Sequence, residues 1–141
     1  MLAAGVTAPS DEQRVCAREV GAQASAYRLD DLPSDIRKDL ASPNMYLKTP
    51  VADYDAPLLQ TDAPSAAEAH YPTVRFAQAM LVRDEWFVQV EVSEFSGVLT
   101  IPYERSRDDG RYHFIGRHVL RGPSCETIKA ILGGVSNPLG L

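Results

Sequence analysis

Residues 74–92 read VRFAQAMLVRDEWFVQVEV, which is two alternating segments separated by a polar break at Asp84-Glu85. In each segment the apolar residues recur at every second position, the spacing of a strand with one buried face. The predicted buried residues are Val74, Phe76, Met80 and Val82 in the first segment and Trp86, Val88, Val90 and Val92 in the second. The stretch therefore predicts two antiparallel strands joined by a tight turn.

Two further strands follow this hairpin. After a break at Ser96-Gly97, Leu99, Ile101 and Tyr103 alternate along a third strand, which Pro102 marks as an edge or bulged position. Asp109-Gly110 predicts a type I′ turn, since both central residues of that turn have positive φ. The fourth strand is predicted from 111 to 120, which makes a four-stranded antiparallel meander in the C-terminal half.

Helices are predicted on both sides of the meander. Ser10 and Gln13 form a capping-box pattern, and the apolar spacing beyond them predicts a helix from about 11 to 27. Ser34 caps a shorter second helix, and Ser124 caps a last helix that ends at Gly133-Gly134. The fold class is α+β, with the meander packed by the N-terminal and C-terminal helices.

The 141 residues are predicted to form a single domain. Residues 1–9 are expected to be a flexible terminus. Residues 41–72 are expected to form an irregular wrap, because half of the ten prolines fall there. One short strand near 44–48 and an exposed tip at 63–69 are expected within this wrap.

Charge and hydropathy exclude two classes of partner. The net charge is −5; residues 1–72 hold 6 Lys/Arg against 11 Asp/Glu, and residues 73–141 hold 8 of each. An acidic chain without a basic stripe is poorly suited to nucleic acid, which binds through clustered positive charge. No apolar run approaches the roughly 20 residues that span a bilayer. We therefore predict neither nucleic-acid binding nor membrane insertion.

Two cysteines, Cys16 and Cys125, each fall on the apolar side of a predicted helix. If these helices pack side by side, the thiols can form a disulfide, which predicts a periplasmic or secreted protein whose signal peptide is missing from this sequence. Two buried free thiols are the structural alternative. A reactive Cys125 at a helix N-terminus is the catalytic one.

No catalytic, cofactor or metal site is predicted. His113 and His118 are five residues apart on one strand, so they point to opposite faces and cannot share a metal. His70 is expected at the surface. Asp53-Tyr54-Asp55 offers oxygen ligands at alternating positions, but the glycine and terminal glutamate of a calcium loop are absent, so a turn is the better interpretation.

A surface for protein contact is predicted in two places. The acidic 30–62 region could steer a basic partner, and the outward face of the sheet mixes aromatic, arginine and acidic residues, as protein interfaces do. The candidate contact residues are Asp53, Tyr54, Asp55, Asp62, Phe87 and Arg117.

The sequence thus favours a small exported, non-enzymatic protein that recognises another protein, such as an inhibitor or an immunity protein of the bacterial periplasm. The alternative is a ligand-binding or enzymatic domain with a pocket between the curved sheet and the helices, where His118 or Glu91 would be the buried ionisable group. A structural part of a larger assembly stays open as a third interpretation. No oligomeric state is predicted.

Overall fold

The structure is a computed structural model that describes residues 10–42, 50–59, 65–93, 97–114 and 119–133. None of the helices in these ranges is long and apolar enough to cross a membrane. The flexible terminus predicted at 1–9 and the strand predicted near 44–48 lie outside the described residues. The elements are α1 (Asp11–Val20), β1 (Ala24–Ala26), α2 (Ser34–Leu40), β2 (Val74–Val82), β3 (Glu85–Val92), β4 (Val98–Arg105), β5 (Tyr112–Phe114), β6 (Leu120–Gly122) and α3 (Ser124–Leu132).

The strands form one antiparallel sheet in the order β1-β2-β3-β4, and both β5 and β6 pair with β4. β5 lies along the C-terminal end of β4, where Tyr103 faces Phe114, and β6 lies along its N-terminal end, where Val98 faces Gly122. The predicted fold class is confirmed: the C-terminal half is an antiparallel meander, packed by an N-terminal and a C-terminal helix.

The first helix is shorter than predicted and is followed by an unpredicted strand. Gly21 adopts the left-handed conformation with φ 73°, and the N–H of Ala22 donates back to the carbonyl of Ala17. This is a Schellman-type helix end, which glycine adopts without steric cost. The prediction of a helix to residue 27 was therefore wrong. Ala24–Ala26 instead forms β1 on the free edge of β2.

Both hairpin turns differ from their predictions. Arg83 (φ 53°) and Asp84 (φ 65°) are the central residues of the first turn, which thus lies one residue earlier than predicted. In the second hairpin Gly110 has φ 69° but Asp109 does not have a positive φ. The N–H of Gly110 donates to the carbonyl of Ser106. A longer loop over 107–110 therefore replaces the predicted two-residue turn.

A β-bulge in β2 divides its apolar residues between the two faces of the sheet. The register with β3 shifts between Phe76 and Gln78, because one extra residue is inserted there. Val74 and Phe76 consequently face one side, whereas Met80 faces the other. The prediction that all the alternating apolar residues of this strand share one face was wrong beyond the bulge.

The sheet has a hydrophobic core on each face. One core contains Ile36 and Leu40 of α2 together with Val88, and the other contains Cys16 of α1 together with Phe87. Because successive side chains of a strand point to opposite faces, α1 and α2 lie on opposite sides of the sheet. We call the side covered by α1 and α3 the disulfide face. Its buried apolar residues are Cys16, Val20, Met80, Val82, Phe87, Leu120, Ile128 and Ile131.

The disulfide predicted between the two terminal helices is present. Cys16 of α1 and Cys125 of α3 are bonded, with their Cα atoms 5.5 Å apart. Neither cysteine is a free thiol, so the structure excludes both the buried-thiol alternative and a reactive Cys125 in this state. A disulfide is consistent with an oxidising compartment.

A buried tyrosine anchors α2 to its face of the sheet. The Oη of Tyr103 donates a hydrogen bond to the carboxylate of Asp39, and Tyr103 is only 1% exposed. Burial first, and then this hydrogen bond, raise the pKa of Tyr103 well above its usual value. The neutral phenol is therefore the form that the folded protein holds.

This anchor predicts a loss of stability at alkaline pH. The tyrosine of the unfolded chain ionises at about pH 10, whereas the folded protein keeps its proton. The unfolded state then binds fewer protons, so the free energy of unfolding falls by up to about 1.4 kcal/mol per pH unit above pH 10. Tyr103→Phe lacks this component, and its stability deficit relative to the wild type should shrink as the pH rises. Urea unfolding of both proteins measures the deficit; one that stays constant across this range would contradict the prediction.

Candidate functional site

A groove of about 810 Å³ opens on the disulfide face between α1 and the start of α3. Ala77 and Gln78 of β2 line it from the sheet, and the bonded Cys16 and Cys125 lie in its walls. The described lining residues are Ser10, Asp11, Glu12, Gln13, Val15, Cys16, Glu19, Ala77, Gln78, Pro123, Ser124, Cys125 and Glu126. Since a covalent bond joins the two walls, it limits how far α1 and the start of α3 can separate at that point.

The sequence at the start of α1 places two carboxylates at the groove. Ser10 Oγ accepts from the N–H of Gln13 at 3.1 Å, and Gln13 Oε1 accepts from the N–H of Ser10 at 2.8 Å. This capping box fixes the first turn of the helix, in which Asp11 and Glu12 favour the positive end of the helix dipole.

A cluster of five polar side chains, four of them buried and one half-buried, lies beneath the groove and α3. Its centre is Gln89 of β3, which is 0% exposed. In the sheet Gln89 lies opposite Gln78 of β2 on one side and opposite Thr100 of β4 on the other. The first turn of α3 supplies Ser124 and Thr127 to the same cluster, and the hydroxyls of Thr100 and Thr127 are 2.7 Å apart. We call these five residues the amide cluster.

The hydrogen bonds of the amide cluster fix the orientation of both glutamines. Gln89 Nε2 donates to the backbone carbonyl of Ser124 at 2.6 Å, and a carbonyl can only accept. Gln89 Oε1 must then be an acceptor, and it receives Nε2 of Gln78 at 2.7 Å and Oγ of Ser124 at 2.6 Å. The carbonyl end of the Gln78 amide is therefore directed away from Gln89.

This orientation leaves Gln78 Oε1 buried without a hydrogen-bond partner among the residues that the structure describes. Gln78 is 3% exposed and lines the groove. An unsatisfied buried acceptor costs about 1–3 kcal/mol, and such groups in folded proteins call for a specific explanation.

The amide cluster has no means of general acid–base catalysis. Its five side chains are amides and hydroxyls, and none of them titrates near neutral pH. Ser124 Oγ donates to an amide oxygen, which is no base, so the hydroxyl is not activated as a nucleophile. The cluster can orient hydrogen-bonding groups but it cannot transfer a proton.

The groove carries four carboxylates: Asp11, Glu12, Glu19 and Glu126. No Lys, Arg or His occurs among its described lining residues. Two cations outside the lining partly offset these charges. Arg14 Nη2 lies 3.6 Å from Asp11 Oδ1, and Lys129 Nζ lies 3.0 Å from Glu19 Oε1. Within the described residues Glu12 and Glu126 make no ion pair.

The predicted contact residues Asp53, Tyr54 and Asp55 are not part of the groove. Asp53 Oδ1 accepts from the backbone N–H groups of Leu29 at 3.1 Å and Tyr54 at 2.8 Å. It therefore ties this segment to the chain before α2. Tyr54 is half-buried and Asp55 is exposed. The prediction that these residues contact a partner stays a prediction.

The remaining predicted contact residues are not brought together with this segment. Phe87 is 0% exposed and belongs to the core beneath α1 and α3. The prediction that it lies on an outward contact face needs correction, because the two helices joined by the disulfide cover that face. Asp62 and Arg117 lie outside the described residues.

The histidines in the described ranges form no site. His70 is exposed, and exposed His113 has Nε2 3.0 Å from a carboxylate oxygen of Asp109. Within the described ranges, no group of three or more His, Cys, Asp or Glu could hold a metal ion. His118 lies outside those ranges.

The sequence did not predict a role for Gln78, the buried residue whose amide oxygen has no partner among the described residues. The strand pattern placed it between apolar positions without a role, since the bulge that turns it to the disulfide face has no clear sequence signal. A usable signal was present in Gln89 and Thr100, which are polar residues inside predicted strands, and in Ser124 and Thr127 at the start of the last helix.

Comparison of the chain with protein-family models gives no match, and comparisons with curated proteins and with solved structures give no significant match.

Proposed function

We propose that this chain is a small exported, non-enzymatic binding protein that recognises another protein, of the inhibitor or immunity type found in the bacterial periplasm. The observation that carries the proposal is the acidic groove between α1 and α3, whose walls a disulfide joins. Its described lining has four carboxylates and no Lys, Arg or His. A cross-link between the walls reduces the backbone freedom that is lost when a partner docks.

Charge supports a basic partner. The chain has a net charge of −5, and opposite charge on a partner raises the rate of encounter and excludes partners of the same sign. The disulfide supports export, since such bonds persist in oxidising compartments. The groove offers hydrogen-bond acceptors and charge, which are the features of a recognition site.

An internal pocket between the sheet and the helices was the alternative basis for function. On the disulfide face that space is occupied by side chains, because Met80, Phe87 and Gln89 are each 0% exposed. The groove lies beside this core and is open to solvent. The space that stays open between β2 and these helices is the groove itself, and its four carboxylates favour a cationic group of a partner over an apolar ligand.

Site-specific photo-cross-linking tests the proposal. A photoreactive amino acid is placed at Glu126 in the groove, at Asp55 in the sequence-predicted surface, and at Arg107 as an exposed control. We expect one basic protein of the cell of origin to be cross-linked from Glu126 or Asp55 and not from Arg107. The purified pair should then bind with a Kd of about 1 μM or lower.

Two results would contradict the proposal. One is the absence of any position-specific adduct in those cells. The other is an adduct whose purified partner is chemically converted by this chain, because that would identify an enzyme.

A further inference from the structure

We infer that the groove is a receptor for one cationic side chain, Lys or Arg, which a partner protein presents to the carboxylates of α1 and α3 above the buried amide of Gln78. The inference rests on the proposed function for the nature of the partner. It adds the chemical group that is recognised and the residues that recognise it.

Gln78 Oε1 is a buried acceptor without a hydrogen-bond partner among the described residues. Gln78 cannot rotate its amide to satisfy Oε1, because Nε2 would then leave Gln89 and two carbonyl oxygens would face each other. The acceptor has no donor among the described residues, and because the atom is itself buried, a donor in the groove reaches it only when the groove wall moves. Ammonium and guanidinium groups are the side chains that supply several donors and no acceptor.

The charge around the groove selects the same kind of group. The first turn of α3 would by itself attract an anion, since its dipole is equivalent to about half a positive charge. Glu126 lies in that same turn, and Asp11, Glu12 and Glu19 line the opposite wall. Four carboxylates outweigh the dipole even where Arg14 and Lys129 offset two of them, so the groove favours a cation.

The apolar parts of the groove fit the stem of such a side chain. Val15 is 43% exposed at the groove and is the large hydrophobic residue that is exposed in the described part of the chain. Pro123 and the disulfide add apolar surface to the walls. Lys and Arg pack their methylene stems on such surfaces while the charged end reaches polar partners.

NMR titration of the intact, oxidised protein tests the inference. The probes are N-acetyl-arginine methylamide, N-acetyl-lysine methylamide and, as the neutral isostere, N-acetyl-citrulline methylamide. We expect at least one cationic probe to shift the side-chain NH₂ signals of Gln78 and the backbone signals of Ser124 to Glu126. The citrulline probe should leave these signals in place.

Two variants with the same change of charge separate the groove from general attraction. Glu126→Gln removes a carboxylate of the groove, and Asp30→Asn removes an exposed one near α2. We expect Glu126→Gln to weaken binding of the cationic probe about fivefold and Asp30→Asn to leave it unchanged within twofold. Unperturbed spectra away from the groove would verify that both variants are folded.

Four outcomes would overturn the inference. They are the absence of shifts at Gln78 with either cationic probe, equal shifts with citrulline, equal weakening by both variants, and much tighter binding of free putrescine, which would indicate a small-amine site. The experiments distinguish this inference from the proposed function. A partner that is cross-linked only from Asp55 would support the proposed function and contradict the role of the groove. Binding of the cationic probe in the groove without any cross-linked partner would support the inference and contradict the proposed function.

Discussion

Replacing Cys16 and Cys125 together with alanine is expected to lower the free energy of unfolding by about 4–5 kcal/mol. The bond closes a loop of 109 residues, and the unfolded chain regains the entropy of that loop when the bond is absent. Domains of this size are stable by only about 5–15 kcal/mol, so the loss is a large share of the total.

The same variant should release α1 more than any other element. The buried residues of this ten-residue helix are Cys16 and Val20, and so short a helix is marginal without tertiary contacts. Urea unfolding measures the global loss, and hydrogen exchange of the α1 amides measures the local one. Dithiothreitol should reproduce both effects in the wild type and do nothing further to the variant. A loss below about 1 kcal/mol with unchanged exchange in α1 would contradict the account.

Replacing Gln89 with leucine is expected to cost about 3 kcal/mol. Leucine is similar in size, but it removes the acceptor of Gln78 and Ser124 and the donor to Thr100 and to the Ser124 carbonyl. Each buried polar group left unpaired costs about 1–3 kcal/mol, and the groups that regain partners within the cluster reduce the sum. The matched control is Gln23→Leu at an exposed position, for which we expect less than about 0.5 kcal/mol.

A double-mutant cycle with Gln78→Leu isolates the amide pair. Once Gln89 is leucine, Gln78 has already lost its main partner, so the second substitution should cost at least about 1 kcal/mol less than it does alone. Urea unfolding of the four proteins gives this coupling energy. A neutral Gln89→Leu variant, or strictly additive effects, would show that the amide cluster does not hold together as the hydrogen bonds indicate.

The sequence predicted the features that depend on a simple period. The alternation in 86–92 determined which residues of β3 face each side, and Trp86 and Val88 do lie opposite Phe87. The disulfide was predictable because Cys16 and Cys125 each fell on the apolar stripe of a helix. These patterns survive in the structure because each one buries apolar area.

The features that failed depend on local exceptions to a period. A bulge in β2 reversed the faces of all residues beyond Phe76, and one inserted residue leaves no separate sequence signature. Ala24 fitted the helical spacing, although Gly21 had already ended α1. A glycine at that position was a usable stop signal.

Part of the groove could be predicted from the sequence. Asp11 and Glu12 lie between Ser10 and Gln13, whose capping-box pattern predicted the first turn of α1. The predicted disulfide already brought α1 next to α3 and therefore next to Glu126. The contribution of Gln78 was out of reach, because it depends on the register between β2 and β3 and on the orientation of a second amide. Hydrogen bonds among residues that are far apart in the chain leave no recognisable pattern in the sequence.

The central claim is that the groove recognises a cationic side chain of a partner protein. Its most direct test measures how tightly two charge-matched variants bind the protein that is cross-linked from position 126. Glu126→Lys and Asp30→Lys change the net charge equally, but only the first places the new charge in the groove. We predict that calorimetry will show at least about tenfold weaker binding for Glu126→Lys and less than about threefold for Asp30→Lys. Equal losses for the two variants would mean that overall charge, and not the groove, attracts the partner.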